Sequence, residues 1–300
     1  MMKIPPYLKK GDLIGIVSSA SKIDQLIVEP AVELLRSLGF RVELGQHIFA
    51  QHHQFAGSDE ERAADLQYMV DHKQMKAIVF SRGGYGTLRT LQSIDWKLFQ
   101  QKPKWLIGFS DVTVLHSQLN QLKIASIHGV MPRYFYEENK ATESFNTLLN
   151  VLKGKVVEYH IEPSTYNKAG HVSGEVIGGN LSILYSLRGT SMDIDTKGKI
   201  LFIEDLSEYL YHLDRMMMNL KIGQKLERLR GLIVGGFSGM KDNGTPYGKT
   251  VEEIILDAVA DYNYPVVFDF PAGHQANNFA IKLGCHATMT VDSHQVIFQQ

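Results

Sequence analysis

The sequence predicts an α/β protein in two parts, a parallel-sheet domain followed by a smaller mixed α+β domain. Three observations carry that prediction. Through the first half of the 300 residues, short apolar runs alternate with helix-periodic segments, the pattern of βαβ units. A polar, turn-rich stretch from Glu162-Pro163 to Ala169-Gly170 separates that half from a second set of strands. Serines and glycines follow several of the apolar runs, where an open parallel sheet carries its ligand loops. The boundaries read as residues 1–160 for the first domain, 161–172 for a linker and 173–300 for the second.

The elements follow in order. Leu13-Ile14-Gly15-Ile16-Val17 reads as a strand that ends in Ser18-Ser19-Ala20-Ser21. Ala31, Leu34, Leu35 and Leu38 recur at helical spacing, and Gly39 stops that helix. Arg41–Leu44 is a second strand. Ser58 and Glu61 spell a capping box that opens a helix through Leu66, Met69 and Val70. Ala77–Phe80 is a third strand and Trp105–Gly108 a fourth, followed by a helix over Thr113–Leu119. Beyond the linker, strands fall at Gly174–Ile177, Ile200–Ile203, Leu232–Val234 and Val266–Phe268. Tyr209, Leu210, Leu213 and Met217 suggest a helix. Thr250 and Glu253 form a second capping box ahead of Ile254, Ile255, Ala258 and Val259. Met289–Val291 and Val296–Phe298 read as a hairpin.

Composition narrows the function. With 44% hydrophobic and 21% charged residues, the chain is globular and long enough for two cores. A net charge of -1 gives no basic bias toward nucleic acid. The single cysteine, Cys285, excludes an internal disulfide and a cysteine-based metal cage. The first ten residues lack the apolar core of a secretory signal. No run approaches the roughly 18 apolar residues of a membrane helix. The expected location is the cytoplasm, without a membrane partner.

Four segments carry candidate chemistry. Gly108-Phe109-Ser110-Asp111 places a serine between a strand and a helix. A sharp turn there exposes a nucleophilic hydroxyl and aims the following N–H groups at a carbonyl. The same serine could instead cap the helix. Gly236-Phe237-Ser238-Gly239 is a rival, but Ser238 runs into a loop rather than a helix. Ser81-Arg82-Gly83-Gly84-Tyr85-Gly86-Thr87 lets backbone approach a ligand and turn N–H groups toward negative charge. It matches neither a dinucleotide fingerprint nor a P-loop. Read blandly, it is a tight βα turn.

In Phe202-Ile203-Glu204-Asp205-Leu206, adjacent acids on a strand point to opposite faces, so one of them can orient a histidine. The other, or Ser207, can cap the next helix. Among 12 histidines, His274 stands out in Phe270-Pro271-Ala272-Gly273-His274-Gln275, a polar loop after a strand. His128 is the next candidate; His52, His53 and His116 lack such a setting. No H-E-x-x-H or similar ligand spacing occurs, which disfavours a metal, and no cofactor is expected.

Taken in order, these segments resemble the LD-carboxypeptidase family, the serine peptidases that include murein tetrapeptide carboxypeptidases and microcin C immunity peptidases. The matching pieces are Gly11-Asp12 to Ser21, Arg82-Gly83-Gly84-Tyr85-Gly86, Gly108-Phe109-Ser110-Asp111 and His128-Gly129. Further on come Gly178-Gly179-Asn180-Leu181-Ser182, Ile203-Glu204-Asp205, Asp214-Arg215 and Pro271-Ala272-Gly273-His274. Val130 departs from the pattern, which has proline after His-Gly.

The resemblance implies Ser110 as nucleophile, His274 as its general base and Glu204 as the residue that orients the histidine. It implies an oxyanion hole from the N–H groups of Gly84 and Asp111. Arg82, Gly83 and Asn180 are candidates for holding the substrate. It further implies a flavodoxin-like first domain, an active site in the interdomain cleft, and a homodimer as the common assembly. The implied reaction is hydrolysis of the bond between an L-diamino acid and terminal D-alanine in a murein tetrapeptide, a step of cell-wall recycling. Diaminopimelate and lysine both remain open at the third peptide position. An alternative keeps the triad but cleaves peptidyl or aminoacyl adenylate analogues. Two further readings are a non-catalytic module that binds an anionic ligand, and a nicotinamide oxidoreductase, which the glycine pattern disfavours.

Overall fold

In the computed structural model, which describes residues 2–137 and 140–300, the apolar runs become strands. Two compact units form. One comprises Met1–Lys155 and Phe279–Lys282; the other comprises Val156–Asn278 and Leu283–Gln300. Among the described residues, no helix is long and apolar enough to cross a membrane.

The first unit runs β1 (Leu13–Val17), α1 (Gln25–Ser37), β2 (Arg41–Leu44), α2 (Asp59–Asp71), β3 (Met75–Phe80), α3 (Thr87–Leu91), α4 (Lys97–Gln101), β4 (Trp105–Gly108), α5 (Thr113–Gln121) and β5 (Ser126–His128). A two-stranded pair, β6 (Tyr136–Glu137) and β7 (Lys140–Ala141), precedes α6 (Glu143–Leu152). All five residues of β1 are buried, as expected of a strand covered on both faces of a parallel sheet. α1 begins before its apolar periodicity does. Asp24 accepts the Leu26 N–H and caps it, and the helix runs through Pro30 with Val28, Ala31, Val32, Leu34 and Leu35 buried. The α2 capping box forms in full between Ser58 and Glu61.

The second unit runs β8 (Glu158–Ile161), β9 (Gly170–Asn180), α7 (Leu181–Ser186), β10 (Ile200–Leu206), α8 (Leu210–Ile222), β11 (Gly231–Ser238), α9 (Val251–Val259) and β12 (Val266–Val267). After β13 (Ile281–Leu283) come β14 (His286–Val291) and β15 (Val296–Gln299), which form the expected antiparallel hairpin. Thr250 and Glu253 complete the second capping box.

The six-stranded sheet has the order β13-β5-β4-β3-β1-β2, and the pairs from β2 to β5 are all parallel. The 2-1-3-4-5 order is the flavodoxin-like one, with its switch point between β1 and β3. Ligand crevices in such sheets lie outside the carboxyl ends of the strands at that point. The Ser18–Ser21 and Ser81–Gly86 loops leave those two ends.

The other sheet has the order β12-β11-β10-β9-β14-β15-β8. β9 to β12 are mutually parallel, whereas β14, β15 and β8 pair antiparallel. Leu213, Met216, Met217 and Leu220 of α8 pack with Ile254, Ile255, Ala258 and Val259 of α9 over Leu201, Ile203, Leu232 and Val234. Truncating one such fully buried methionine to alanine would cost about 2–5 kcal/mol. The β10–β11 register slips between Ile203 and Asp205. Such irregularities re-aim side chains, and this one flanks Glu204.

The helix after β10 is not capped as the sequence suggested. Tyr209 occupies the N-cap position of α8 with no side-chain bond. The Asp205 carboxylate is already committed to the start of α7, where it accepts the Ser182 N–H at 2.8 Å.

Candidate active site

Ser110 sits where β4 gives way to a 3-10 turn, Ser110–Val112, and then α5. Its φ of 64° is left-handed, a conformation that costs a non-glycine residue about 1–3 kcal/mol and concentrates at functional turns. Helix capping does not account for it, because the N-cap of α5 is Val112. Glycines make the turn sterically feasible. A Cβ on Gly108 would lie 2.8 Å from Val112 Cγ2, and one on Gly83 would lie 2.7 Å from Ser110 Cβ and 2.8 Å from its Oγ. The Gly83 backbone therefore passes directly over the serine.

His116 braces this turn from below. Its Nε2 lies 2.9 Å from the Gly108 carbonyl and its Nδ1 lies 2.8 Å from Ser126 Oγ. Burial pushes its pKa down to about 4, so the ring is neutral. A carbonyl only accepts, so Nε2 carries the proton and the Ser126 hydroxyl donates to Nδ1. The sequence gives His116 no visible context; its place one turn into the helix that follows Ser110 is the one available signal.

The glycine loop after β3 is tied to the loop after β1. Ser18 Oγ and Ser81 Oγ are 2.6 Å apart, and Ser19 Oγ and Thr87 Oγ1 are 2.8 Å apart. The Ser21 N–H donates to Gly83 O at 3.4 Å. In a trans peptide the C=O and N–H bonds point in opposite directions, so the Gly84 N–H is turned away from Ser21. Gly84 and Gly86 have φ of 114° and 142°, open to glycine and strained for other residues. Asp111 is buried, and Thr87 N–H donates to its Oδ2 at 2.8 Å. Burial raises its carboxyl pKa, with bonds from Thr87 opposing that rise. Arg82 is exposed, with Nη1 donating to the Lys22 carbonyl at 3.0 Å.

In the second unit, Glu204 and His274 meet. Glu204 Oε2 lies 2.6 Å from His274 Nδ1 and accepts the His274 backbone N–H at 3.1 Å. A carboxylate partner places the ring proton on Nδ1 and makes Nε2 the basic nitrogen. Glu204 is 0% exposed, and its Oε1 has no hydrogen-bond partner among the described residues. Gly273, at φ 104°, lets the loop close on it, since a Cβ there would lie 2.6 Å from Glu204 Cβ.

The adjacent acid points elsewhere, as strand alternation requires. Asp205 Oδ1 accepts from Asn180 Nδ2 at 3.0 Å and from the Leu206 N–H at 2.9 Å. Burial, and then the neighbouring Glu204 charge, push its pKa up to about 6, against these bonds. Asn180 is itself buried and caps α7 by accepting the Ile183 N–H.

The remaining candidates occupy structural positions. Ser238 ends β11, and its carbonyl accepts the Ser207 N–H at 2.8 Å. His128 is fully buried, with its ring against Phe109. His52 and His53 lie on an exposed turn, with ring centroids 4.7 Å apart. The structure thus groups Ser110 with Gly83 and Asp111 in the first unit. It groups Glu204 with His274, and Asp205 with Asn180, in the second.

Known proteins match the chain along nearly its whole length. Residues 14–129 match the LD-carboxypeptidase N-terminal domain and residues 173–289 its C-terminal domain. A Bacillus subtilis protein named "Probable murein peptide carboxypeptidase" is 35% identical over 95% of this chain and 91% of its own length. The murein tetrapeptide carboxypeptidase of Pseudomonas aeruginosa is 29% identical over 92% of each. The muramoyltetrapeptide carboxypeptidase of Oxalobacter formigenes superposes with a TM-score of 0.87 at 25% identity, over 96% of this chain and 98% of that one. The microcin C7 self-immunity protein MccF shares the fold, with a TM-score of 0.87 at 20% identity over 100% and 98% of the two chains. With both domain models matched in order and a full-length relative above 30% identity, the chain belongs to the LD-carboxypeptidase family.

Proposed function

We propose that the protein is a serine carboxypeptidase that removes the terminal D-alanine from murein tetrapeptides by cleaving its bond to the preceding L-diamino acid. The names of its relatives support the substrate. The observation that carries the mechanism is the two-point grip of Glu204 on His274, which sets the ring tautomer a general base needs.

In this reading, Ser110 Oγ attacks the carbonyl of the L-centre while His274 Nε2 takes the hydroxyl proton. Glu204 stabilises the imidazolium that results. The N–H groups of Gly84 and Asp111 bind the tetrahedral oxyanion. Collapse breaks the C–N bond, His274 returns the proton to the D-alanine nitrogen, and an acyl-enzyme remains. Water, deprotonated by His274, attacks the acyl carbon and releases tripeptide and free Ser110. Arg82, Gly83 and Asn180 are assigned to holding the peptide, and Arg82 to its terminal carboxylate. The fitting context is cytoplasmic murein recycling by a homodimer.

The test is D-alanine release from murein tetrapeptide by the wild type and by Ser110→Ala, followed by mass spectrometry. Release by the wild type alone supports the reading. Equal release by both removes Ser110 and turns attention to Ser238. Turnover of a peptidyl adenylate analogue in place of the tetrapeptide would move the protein to the immunity branch.

A further inference from the structure

The proposed oxyanion hole draws its two donors from different loops, Gly84 after β3 and Asp111 after β4. Preorganised donors stabilise a transition state only if their spacing is fixed before the reaction. The Gly84 loop is tied to the loop after β1, but between Gly84 and the start of α3 its backbone is loosely specified. Gly84 and Gly86 both have left-handed φ, and α3 begins at Gly86 without a side-chain cap. Glycine-rich loops lose the most entropy on being ordered.

The missing cap comes from the Asp111 side chain. Its Oδ2 accepts the Thr87 N–H, the first amide of α3, at 2.8 Å. Thr87 Oγ1 in turn lies 2.8 Å from Ser19 Oγ, in the loop after β1. The carboxyl therefore joins the loops after β3 and β4, and Thr87 links them to the loop after β1. Asp111 is 2% exposed, which strengthens these bonds and makes their loss costly. Burying an acid for stability alone is a poor choice, since an apolar residue of similar size does as well or better.

We infer that the Asp111 side chain is a positioning residue: it holds the start of α3 so that the Gly84 amide stays in register with the Asp111 amide. The inference rests on the serine peptidase reading above, and its test separates the two. The full-length wild type, Ser110→Ala, Asp111→Ala and Asp111→Asn are compared in D-alanine release from murein tetrapeptide. Each is also titrated with a peptide boronate, which forms a tetrahedral adduct on a serine, and with the product tripeptide.

Asp111→Ala is expected to lose about 10²-fold in kcat, the usual effect of a lost oxyanion donor, with KM within about threefold of wild type. Boronate affinity should fall in parallel with kcat while tripeptide affinity holds. Asp111→Asn, which keeps one acceptor, should fall between. Wild-type kcat in either variant, equal weakening of boronate and tripeptide, or failure of both variants to fold would each overturn the positioning role. Activity retained by Ser110→Ala would instead overturn the serine peptidase reading.

Discussion

Glu204 Oε2 holds His274 at both its ring Nδ1 and its backbone N–H, at 2.6 and 3.1 Å. The backbone bond fixes where the loop lies and the ring bond fixes how the imidazole is turned. A side chain that served only to anchor the loop would need the first bond alone. The slip in the β10–β11 register lies beside Glu204, at the end of a strand whose preceding residues, Ile200–Ile203, pair regularly.

Glu204→Gln keeps the volume and one acceptor but offers an amide N–H₂ to the ring. Some of the imidazole population then takes the wrong tautomer. We expect kcat for D-alanine release to fall about 10³- to 10⁴-fold, as when a triad acid becomes its amide. The loss of a charge-assisted bond should cost folding about 1–3 kcal/mol. Paired kinetic and thermal-melting measurements check this. A variant that melts early but turns over normally would make Glu204 a loop anchor only.

Gly83→Ala tests the close approach over Ser110. The added methyl would lie 2.7 Å from Ser110 Cβ and 2.8 Å from Oγ, so either the loop or the serine must move. Overpacking of this kind costs about 1–3 kcal/mol. Displacement of about 1 Å at the reacting atoms can cost about 10²-fold in rate. The expected pattern is a fold that survives and a kcat that falls by that factor, read by D-alanine release beside a melting curve.

Much of this was legible because it is local. The capping boxes at Ser58/Glu61 and Thr250/Glu253 are three-residue signals, and both form. Buried strands such as β1 and β4 announce themselves as apolar runs with turn residues behind them. What could not be read is non-local or runs against propensity. α1 starts at Gln25 although Pro30 argues against a helix there, because burial of Val28, Ala31, Val32, Leu34 and Leu35 adds to the Asp24 cap. β13 is three residues long and joins the first sheet at its edge next to β5, far away in sequence. Ser110 was found as a possible nucleophile from its turn, but the Thr87 bond that engages the Asp111 side chain spans 24 residues. Proximity offers Asp205 or Ser207 as the cap of the following helix, whereas Asp205 bonds Asn180 and Ser182 on the preceding strand and helix.

Arg82 is the nearest exposed cation in sequence to the glycine loop, and its Nη1 donates to the Lys22 carbonyl, a neutral partner that leaves its charge available to an anion. If it receives the terminal carboxylate of the peptide, Arg82→Ala should raise KM for murein tetrapeptide about tenfold, the value of a modest charge-assisted bond. The same variant should leave KM unchanged for a substrate ending in D-alaninamide. Equal effects on both substrates, or none on either, would remove Arg82 from carboxylate recognition.

His116 predicts an acid limb in stability. Its folded pKa of about 4 lies below the ordinary 6.5, so the unfolded chain binds this proton first. Its contribution is therefore complete above pH 6.5 and drains away as pH falls toward 4, by about 3 kcal/mol in all. Asp205 acts in the opposite sense over much of the same range. With its carboxyl raised from 3.8 to about 6, its contribution is complete in acid and is lost as pH rises through 6. The wild-type profile alone would blur the two. His116→Gln keeps a donor for the Gly108 carbonyl and cannot titrate, so subtracting its melting profile from that of the wild type leaves the histidine alone. The difference should be constant above pH 6.5, and the wild type should lose ground steadily between pH 6.5 and 4. A flat difference across that range would mean that the ring beneath the Ser110 turn is not held neutral.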